Sequence, residues 1–445
     1  MATATKSTLK VNLLHRMAEA RALTDGLFQI VRADALYERP IAERHRIVFY
    51  IGHLEAFDWN LFRSERPGLK SFEPAYDRLF AFGIDPVDGK LPADQPHDWP
   101  SISTVNQYVQ RVRNELDSFL DSYGPTDDRA ANGGASLTVL LHTAIEHRLM
   151  HAETLAYMLH RLPHDRKVLQ PQPYSASGES IPGMIDIPEG TVTLGLQRDA
   201  DDTFGWDNEF GAYQLHVPAF RVDPFMVTNG EYLRFMLDNG YRRPELWTPA
   251  SWDWIHKSEI DHPAFWMREG NNWLYRGMFE SIALPPDWPV YVSHAEARAY
   301  AHWAGKALPS EAQWHRAAYG APDGAERDYP WGPNEDISGK GNFDSVRWDA
   351  APVSSSSNNV SAFGVVGMLG NGWEWTSSEF APFPGFQPFS FYPGYSANFF
   401  DGKHFVMKGG SSRTAAPLLR KSFRNWFQPH YQYVYAGFRC VADRD

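Results

Sequence analysis

Residues 136–162 read SLTVLLHTAIEHRLMHAETLAYMLHRL, and their pattern largely determines the architecture of the first part of the chain. Apolar residues recur at helical spacing along the whole stretch, and Ser136 is a suitable N-cap, so one long helix is predicted. The same periodicity predicts three further helices, at residues 17–31, at residues 41–62 after Pro40, and at residues 104–123. Four helices with one long connection predict a four-helix bundle.

The chain changes character near residue 170, where helical periodicity gives way to proline and glycine. We therefore predict a first domain over residues 1–170, a linker over 171–182 and a second domain over 183–445. In the second domain helices are expected only at residues 229–239, 294–304 and 310–319, with short strands at 191–194 and 405–407. The predicted fold class is α+β in two domains.

Composition restricts the function classes. The formal net charge is −12 and the pI about 5.8, which argues against a general nucleic-acid binder. No stretch approaches the roughly 18 apolar residues of a membrane helix, and the N-terminus lacks the features of a signal peptide. A cytoplasmic location is expected. The single cysteine, Cys440, excludes an internal disulfide and a cysteine-rich metal site.

The pair His147 and His151 suggests a metal site. Residues four apart lie on one helical face, so both imidazoles can reach one ion. His53 in the second predicted helix is the candidate third ligand, and Gly52 beside it allows close helix approach. Three neutral imidazoles suit iron, zinc or copper and leave coordination positions open. The alternative is that these are ordinary core or surface histidines.

Other polar residues of the same helix have weaker claims. His142 lies about 140° around the helix from His147, which favours a structural or surface role. His160 and His164 suit the helix C-terminus as surface residues. Glu146 and Glu153 could orient the ligands as hydrogen-bond acceptors, although solvated carboxylates are the commoner explanation.

The second half contains several ordered strings that resemble the formylglycine-generating-enzyme (sulfatase-modifying factor) family. They are FMVTNGEY at 225–232, AGKALPSEAQW at 304–314, YPWG at 329–332, GMLGNGWEWT at 367–376, KGGS at 408–411 and AGFR at 436–439. The match spans roughly residues 183–442 and implies a C-type-lectin-like fold. Copper-dependent formylglycine formation relies on a pair of cysteines, so with Cys440 alone this parent activity is expected to be absent.

The first half resembles the DinB-like bundle, and its fusion to this lectin-like domain is the architecture of the ergothioneine-type sulfoxide synthases. In that family a Gly-His string and an H-x-x-x-H pair bind ferrous iron, which maps onto His53, His147 and His151. The resemblance implies an Fe(2+), dioxygen-dependent enzyme that joins sulfur to the imidazole ring of hercynine, the trimethylated histidine betaine. Arg439 is expected to hold the fold together, because its Gly-Phe-Arg string recurs across the wider family.

The substrate residues implied by the family are partly replaced. Arg424, Asn425 and Trp426 match the family string, but Phe427 stands where γ-glutamylcysteine-using members have Asp, and Tyr431 stands where they have Arg. Further departures are Phe380 at the place of the mechanistic tyrosine, Met150 where the residue before the second metal-pair histidine is often Gln, and FGIDP at 82–86 in place of the Tyr-Tyr-Asn string of cysteine-using relatives.

These departures favour the selenoneine synthase branch, which joins selenium from a selenosugar to hercynine. An uncharged sugar donor does not need the lost Asp and Arg, and Phe380, Trp426, Phe427 and Tyr431 could pack a sugar face. Tyr431 and Tyr433 are candidate proton donors or acceptors, with a packing role as the alternative. Trp426, Trp373 and Asn425 are candidates to hold the trimethylammonium group. The alternatives are a core position for Trp373 and a turn position for Asn425.

Three alternatives stay open. The nearest is an ergothioneine-type sulfoxide synthase that uses cysteine or another thiol. A metal-dependent thiol transferase that works without oxygen is the second, and a non-catalytic lectin-like binding module is the third. In every enzymatic version the expected partners are small molecules, with neither nucleic acid nor membrane, and the oligomeric state is left open.

Overall fold

The computed structural model describes residues 2–81, 91–122, 134–171, 183–198, 203–333 and 336–444, with side chains from residue 9 onward. The chain divides into two compact units. One consists of Met1–Gln170 with the short segment Phe389–Tyr392, and the other of Pro171–Pro388 with Pro393–Asp445. Most of the predicted linker, residues 172–182, and the FGIDP string at 82–86 lie outside the described residues. The predicted domain boundaries therefore stay predictions.

The first unit is helical, as the apolar periodicity predicts. Its helices are α1 (Ala2–Gln29), α2 (Ile47–Glu65), α3 (Pro74–Leu79), α4 (Ile102–Ser122) and α5 (Leu137–Arg161). Helix α1 packs on α5, and α2 packs on both α4 and α5. Ser136 caps α5, because its side chain accepts a hydrogen bond from the Val139 amide. No helix in the described part of the chain is long and apolar enough to cross a membrane.

Two predicted helix starts are wrong. Helix α2 begins at Ile47 rather than at residue 41, because Arg46 has an extended backbone and its guanidinium binds the Tyr37 carbonyl and the Asp94 carboxylate. Ile41 is buried in the turn before the helix. Its apolar side chain fits the helical periodicity, although the residue is not helical. Helix α1 begins at Ala2 rather than at residue 17, since no proline or glycine interrupts residues 2–16.

In its described residues, the second unit combines four helices with short strands. The helices are α6 (Asn229–Leu237), α7 (Pro249–Lys257), α8 (His294–Trp303) and α9 (Glu311–Tyr319). Helices α6, α8 and α9 lie at the three predicted places, and α9 is capped by Ser310. Helix α7 was not predicted, although Thr248 followed by Pro249 is a regular helix start, with the Thr248 side chain as cap.

The strands in the described part of this unit form four small sheets. They are β1 (Ile185–Ile187), β2 (Gly190–Leu194), β3 (Tyr213–Val217), β4 (Phe220–Val222), β5 (Trp266–Glu269), β6 (Asn272–Arg276), β7 (Ser281–Ala283), β8 (Trp373–Glu379), β9 (Phe405–Lys408), β10 (Asn425–Phe427), β11 (Ala436–Gly437) and β12 (Val441–Asp443). The sheet orders are β1-β4-β12, β2-β3, β5-β6-β7 and β10-β9-β8-β11. Strand β10 is an edge strand that pairs antiparallel with β9, which places Asn425 opposite Met407 and Trp426 opposite Val406.

A buried ion pair joins the C-terminal Gly-Phe-Arg string to strand β8. Arg439 Nε and Nη2 donate to the two Glu374 carboxylate oxygens at 2.7 Å each, and its remaining donors reach the carbonyls of Asp223, Pro224 and Val366. Because a buried guanidinium is stable only when its donors are satisfied, these contacts support the structural role expected of Arg439.

Candidate metal centre

Three histidines from two helices meet inside the first unit. His53 lies on α2, and His147 and His151 lie one turn apart on α5. The Nε2 atom of His151 is 3.3 Å from Nε2 of His53 and 3.1 Å from Nε2 of His147. In the described part of the chain, no other three histidine, cysteine or acidic side chains come close enough together to share one ion.

The orientation of His53 is set by a backbone carbonyl. Its Nδ1–H donates to the Phe80 carbonyl at 2.7 Å, which leaves the lone pair of Nε2 directed at the other two rings. Gly52 makes this approach possible, because a Cβ at that position would lie only 2.5 Å from the Phe80 ring. The close approach expected at Gly52 is therefore to Phe80, whose carbonyl orients His53.

All three imidazoles are neutral at physiological pH. Burial, partly opposed by the Phe80 hydrogen bond, lowers the pKa of His53 to about 4. Burial, together with the neighbouring histidines and Arg148, lowers the pKa of His147 well below its usual value. The pKa of His151 is likewise lowered well below normal, first by burial and then by His53 and Arg44. Neutral imidazole is the form that binds a metal ion.

The geometry fits a shared metal ion. Imidazole nitrogens bind divalent metals at about 2.0–2.1 Å, so two ligands that meet near a right angle are separated by roughly 3 Å. The two observed Nε2 separations match this distance. Three Nε2 atoms directed at one another in a dry site cannot all be satisfied by mutual hydrogen bonds, because each neutral ring presents there either one proton or one lone pair.

Two aromatic residues at the metal centre were not predicted from the sequence. The Phe57 ring stacks on His147, with centroids 3.4 Å apart and planes 9° apart. Tyr392, in the short segment of the first unit, has its ring 5.3 Å from Phe57 and 6.5 Å from His147. Phe57 could have been found, because it lies one helical turn after His53. No local signal points to Tyr392, because its position depends on the tertiary fold.

The predicted substrate residues fall into clusters. In the second unit Trp426 stacks on Phe380 with centroids 4.0 Å apart, and Arg424 lies over the same Phe380 ring while pairing with Glu311. Asn425 accepts a hydrogen bond on Oδ1 from the Trp426 amide. Phe380 is buried, whereas Trp426 is half-buried, so of the two rings only Trp426 has exposed surface available to a ligand.

A second aromatic cluster lies at the end of strand β10 and in the residues just after it. Phe427 stacks on Tyr431 with centroids 5.0 Å apart, and Tyr431 and Tyr433 pack edge to face with centroids 5.3 Å apart. All three are half-buried. By contrast, Trp373 is buried near Phe423 and belongs to the core. Met150 lies in the first unit, half-buried on α5 beside His151, and is the one predicted substrate residue on the metal-ligand helix.

Comparison with known proteins identifies both halves. The model of the DinB superfamily matches residues 16–155, and that of the sulfatase-modifying factor enzyme 1-like domain matches residues 170–444. A DinB-type bundle with a three-histidine cluster, joined to a sulfatase-modifying-factor-like domain, defines the class of protein. These matches confirm the predicted α+β, two-domain fold class and the resemblance read from the sequence strings.

Relatives over most of the chain narrow the class to one family. The hercynine oxygenase of Mycolicibacterium thermoresistibile is 34% identical, over 85% of this chain and 82% of its own. That of Mycobacterium tuberculosis is 40% identical, over 55% of this chain and 57% of its own. Ergothioneine biosynthesis protein 1 of Neurospora crassa is 28% identical, over 93% of this chain and 56% of its own. The chain belongs to the hercynine oxygenase family and is an oxidative enzyme, which excludes a non-catalytic lectin-like module.

Proposed function

We propose that this enzyme uses iron(II) and dioxygen to form a carbon–chalcogen bond on the imidazole ring of hercynine, with a selenosugar as the donor. The observation that carries the proposal is the convergence of His53, His147 and His151 in a member of this family. Their rings are neutral, and their Nε2 atoms lie close together and shielded from water, as an open three-histidine metal site requires.

The three histidines would hold the iron, which supplies redox activation of dioxygen and of the donor when bound. The chain's own contribution is preorganisation. The Phe80 carbonyl fixes the ring of His53, and the Phe57 ring fixes the plane of His147 by stacking. Tyr392 would line the same side of the centre, where its ring can help to exclude water.

Hercynine would be recognised by Asn425 and Trp426. The trimethylammonium group cannot donate a hydrogen bond, so an electron-rich ring face is its natural partner. Trp426 is half-buried and is held flat by Phe380 beneath it, which makes it a rigid platform. Arg424 supports the platform through Phe380, since its guanidinium is already paired with Glu311.

The donor site would lie at Phe427 and Tyr431. These stacked rings carry no charge, which disfavours a charged thiol peptide and suits an uncharged selenosugar. Met150, a soft, apolar side chain on the metal-ligand helix of the first unit, is proposed separately as a substrate contact. Tyr431 and Tyr433 are the proposed proton-transfer residues of this cluster. A sulfoxide synthase that uses cysteine or another thiol is the second candidate, because the family match does not distinguish the donors.

A competition experiment tests the donor. Protein purified without oxygen and loaded with Fe(II) would receive hercynine with equal amounts of selenosugar and cysteine, then air, and mass spectrometry would identify the product. A selenium adduct of hercynine is expected. A cysteine sulfoxide adduct would mean an ergothioneine-type enzyme with a rebuilt donor site. Transfer without oxygen would indicate a thiol transferase, and no oxygen-dependent adduct would refute hercynine as the substrate.

A matched pair of variants tests the metal centre. His147→Ala is expected to lose bound iron and all product formation, because two imidazoles rarely retain a catalytic metal ion. His142→Ala, five residues earlier on the same helix, should keep both. Iron content by elemental analysis separates loss of metal from loss of chemistry. Equal iron content in the two variants would rule out the proposed ligand set.

A further inference from the structure

A cavity of about 370 Å³ lies in the first unit and is lined by α1, α2, α4 and α5. None of the three metal-ligand histidines lines it. Its apolar wall consists of Phe28, Leu36, Ile51, Leu54, Ile102 and Val109. Charged side chains form the rest of the lining, and two of them, Glu55 and Arg148, are each only 1% exposed. An apolar cavity with a few buried charges is typical of a small-molecule site.

The charged wall is an ion network in which Glu55 carries an unsatisfied acceptor; Asp58 carries another but does not line the cavity. Arg113 donates to Glu55 Oε1 from Nε and Nη2, at 2.9 and 2.7 Å, and binds both oxygens of Asp25. Arg148 lies 3.0 Å from the same Glu55 Oε1 and donates to Asp58 at 2.6 Å. Glu55 Oε2 is buried and has no hydrogen-bond partner among the described residues.

The network holds more negative than positive charge. Its guanidinium groups are Arg113, Arg148 and the adjacent Arg21, and its carboxylates are Asp25, Glu55, Asp58 and Asp117, which pairs with Arg21. Three cations against four anions leave a net charge of −1.

We propose that this cavity binds a small organic ammonium ion, whose N–H group donates to Glu55 Oε2 and whose apolar body packs on Phe28 and Val109. The ammonium supplies the missing donor and the missing positive charge together. Arg148 Nε also lacks an acceptor, but an anion placed there would increase the negative excess. The cavity rim is accessible, because Asn106 and Gln110 on α4 are exposed.

The site is separate from the metal centre but shares its helices. Glu55 is two residues from His53 on α2, and Arg148 adjoins His147 on α5. On a helix such offsets direct side chains to different faces, so an occupant would not touch the metal ligands. The proposal therefore does not depend on the reaction that the metal centre catalyses.

Calorimetric titration with three probes of similar shape tests the proposal on the full-length protein. The probes are 2-phenylethylammonium, neutral 2-phenylethanol and anionic 3-phenylpropanoate. The ammonium is expected to bind saturably, and at least about tenfold more tightly than the other two, because each lost charge-assisted hydrogen bond costs about 1.5–3 kcal/mol. Equal binding of all three, preference for the anion, or no saturable ammonium binding would overturn the proposal.

Two variants locate the binding. Glu55→Gln should weaken ammonium binding about tenfold or more while leaving 2-phenylethanol unaffected. Val109→Trp, which fills the cavity without altering the ion network, should abolish binding even if Glu55→Gln fails to fold. Gln107→Trp places the same ring on the exposed surface of α4 and should bind like the unaltered protein. Ammonium binding that survives Val109→Trp unchanged would place the site elsewhere and refute the proposal.

Discussion

At the scale of single residues, burial of the histidine cluster favours metal binding but makes the metal-free protein less stable in acid. Each imidazole is kept neutral by burial, so no proton has to leave before a cation arrives. The same burial opposes protonation in acid. Stability of the metal-free protein should therefore report on these side chains directly.

We predict that the metal-free protein loses stability as the pH falls from about 6.5 to about 4. In this window an unfolded histidine takes up a proton, whereas His53, whose folded pKa is lowered to about 4, does not. The loss from His53 alone reaches about 3 kcal/mol at low pH. Urea unfolding after chelation measures it, and His53→Leu should flatten the profile. A His53→Leu profile parallel to the unaltered one would contradict the prediction, and His97→Gln, at an exposed histidine, is the control.

The donor preference should also depend on individual residues. Phe427→Asp combined with Tyr431→Arg introduces the charges that the family resemblance implies for γ-glutamylcysteine-using members. We expect this double variant to gain turnover with γ-glutamylcysteine and to lose about tenfold or more with the selenosugar, since an aromatic stack is exchanged for an ion pair. Product analysis with each donor alone measures the change. Unchanged donor preference would mean that these positions do not contact the donor.

At the scale of helices and turns, the contact between α2 and Phe80 sets the position of His53. We predict that Gly52→Ala weakens metal binding about 10–100-fold, because the new methyl group would displace Phe80, whose carbonyl orients His53. Titration with Co(II), followed by its visible spectrum, gives the affinity. Gly26→Ala on α1, where a Cβ meets nothing within 4 Å, is the matched control and should leave affinity unchanged. Equal affinities in the two variants would contradict this account.

At the scale of the whole molecule, the metal centre should act as a crosslink. Its ligands come from α2 and α5, which are far apart in sequence, so a metal ion binds the folded state and not the unfolded chain. We predict that Co(II) at 100 times its dissociation constant stabilises the first unit by about 2.7 kcal/mol. Thermal unfolding with and without Co(II) measures this shift. His147→Ala should abolish it, and a shift that persists in that variant would point to a different site.

The fold of the second unit should depend on its buried ion pair. Arg439→Met leaves Glu374 without its bidentate partner in the core, and we expect a loss of about 3–5 kcal/mol in unfolding free energy. Arg444→Met removes an exposed ion pair with Asp186, at 3.8 Å, and should cost less than about 1 kcal/mol. Chemical denaturation compares the two. Similar small losses would mean that Arg439 is replaceable in the core.

Local patterns were enough to predict much of the molecule. Helical periodicity located α4, α5 and three helices of the second unit, because a helix that packs on a core must repeat apolar residues every three to four positions. The spacing of His147 and His151 placed both rings on one face for the same reason. Apolar periodicity, the histidine strings of the first half and the ordered strings of the second half led to the fold class and the family.

Tertiary packing decided the rest, because it brings together residues that no short-range pattern relates. The start of α2 depends on Arg46 reaching Asp94, which is distant in sequence. Pairing of α2 with α5 determines that the Nε2 atoms of the three histidines meet, and folding also brings Tyr392 beside His147. The carboxylate excess beside Glu55 arises only when four helices assemble, since each charge alone is an ordinary helix residue.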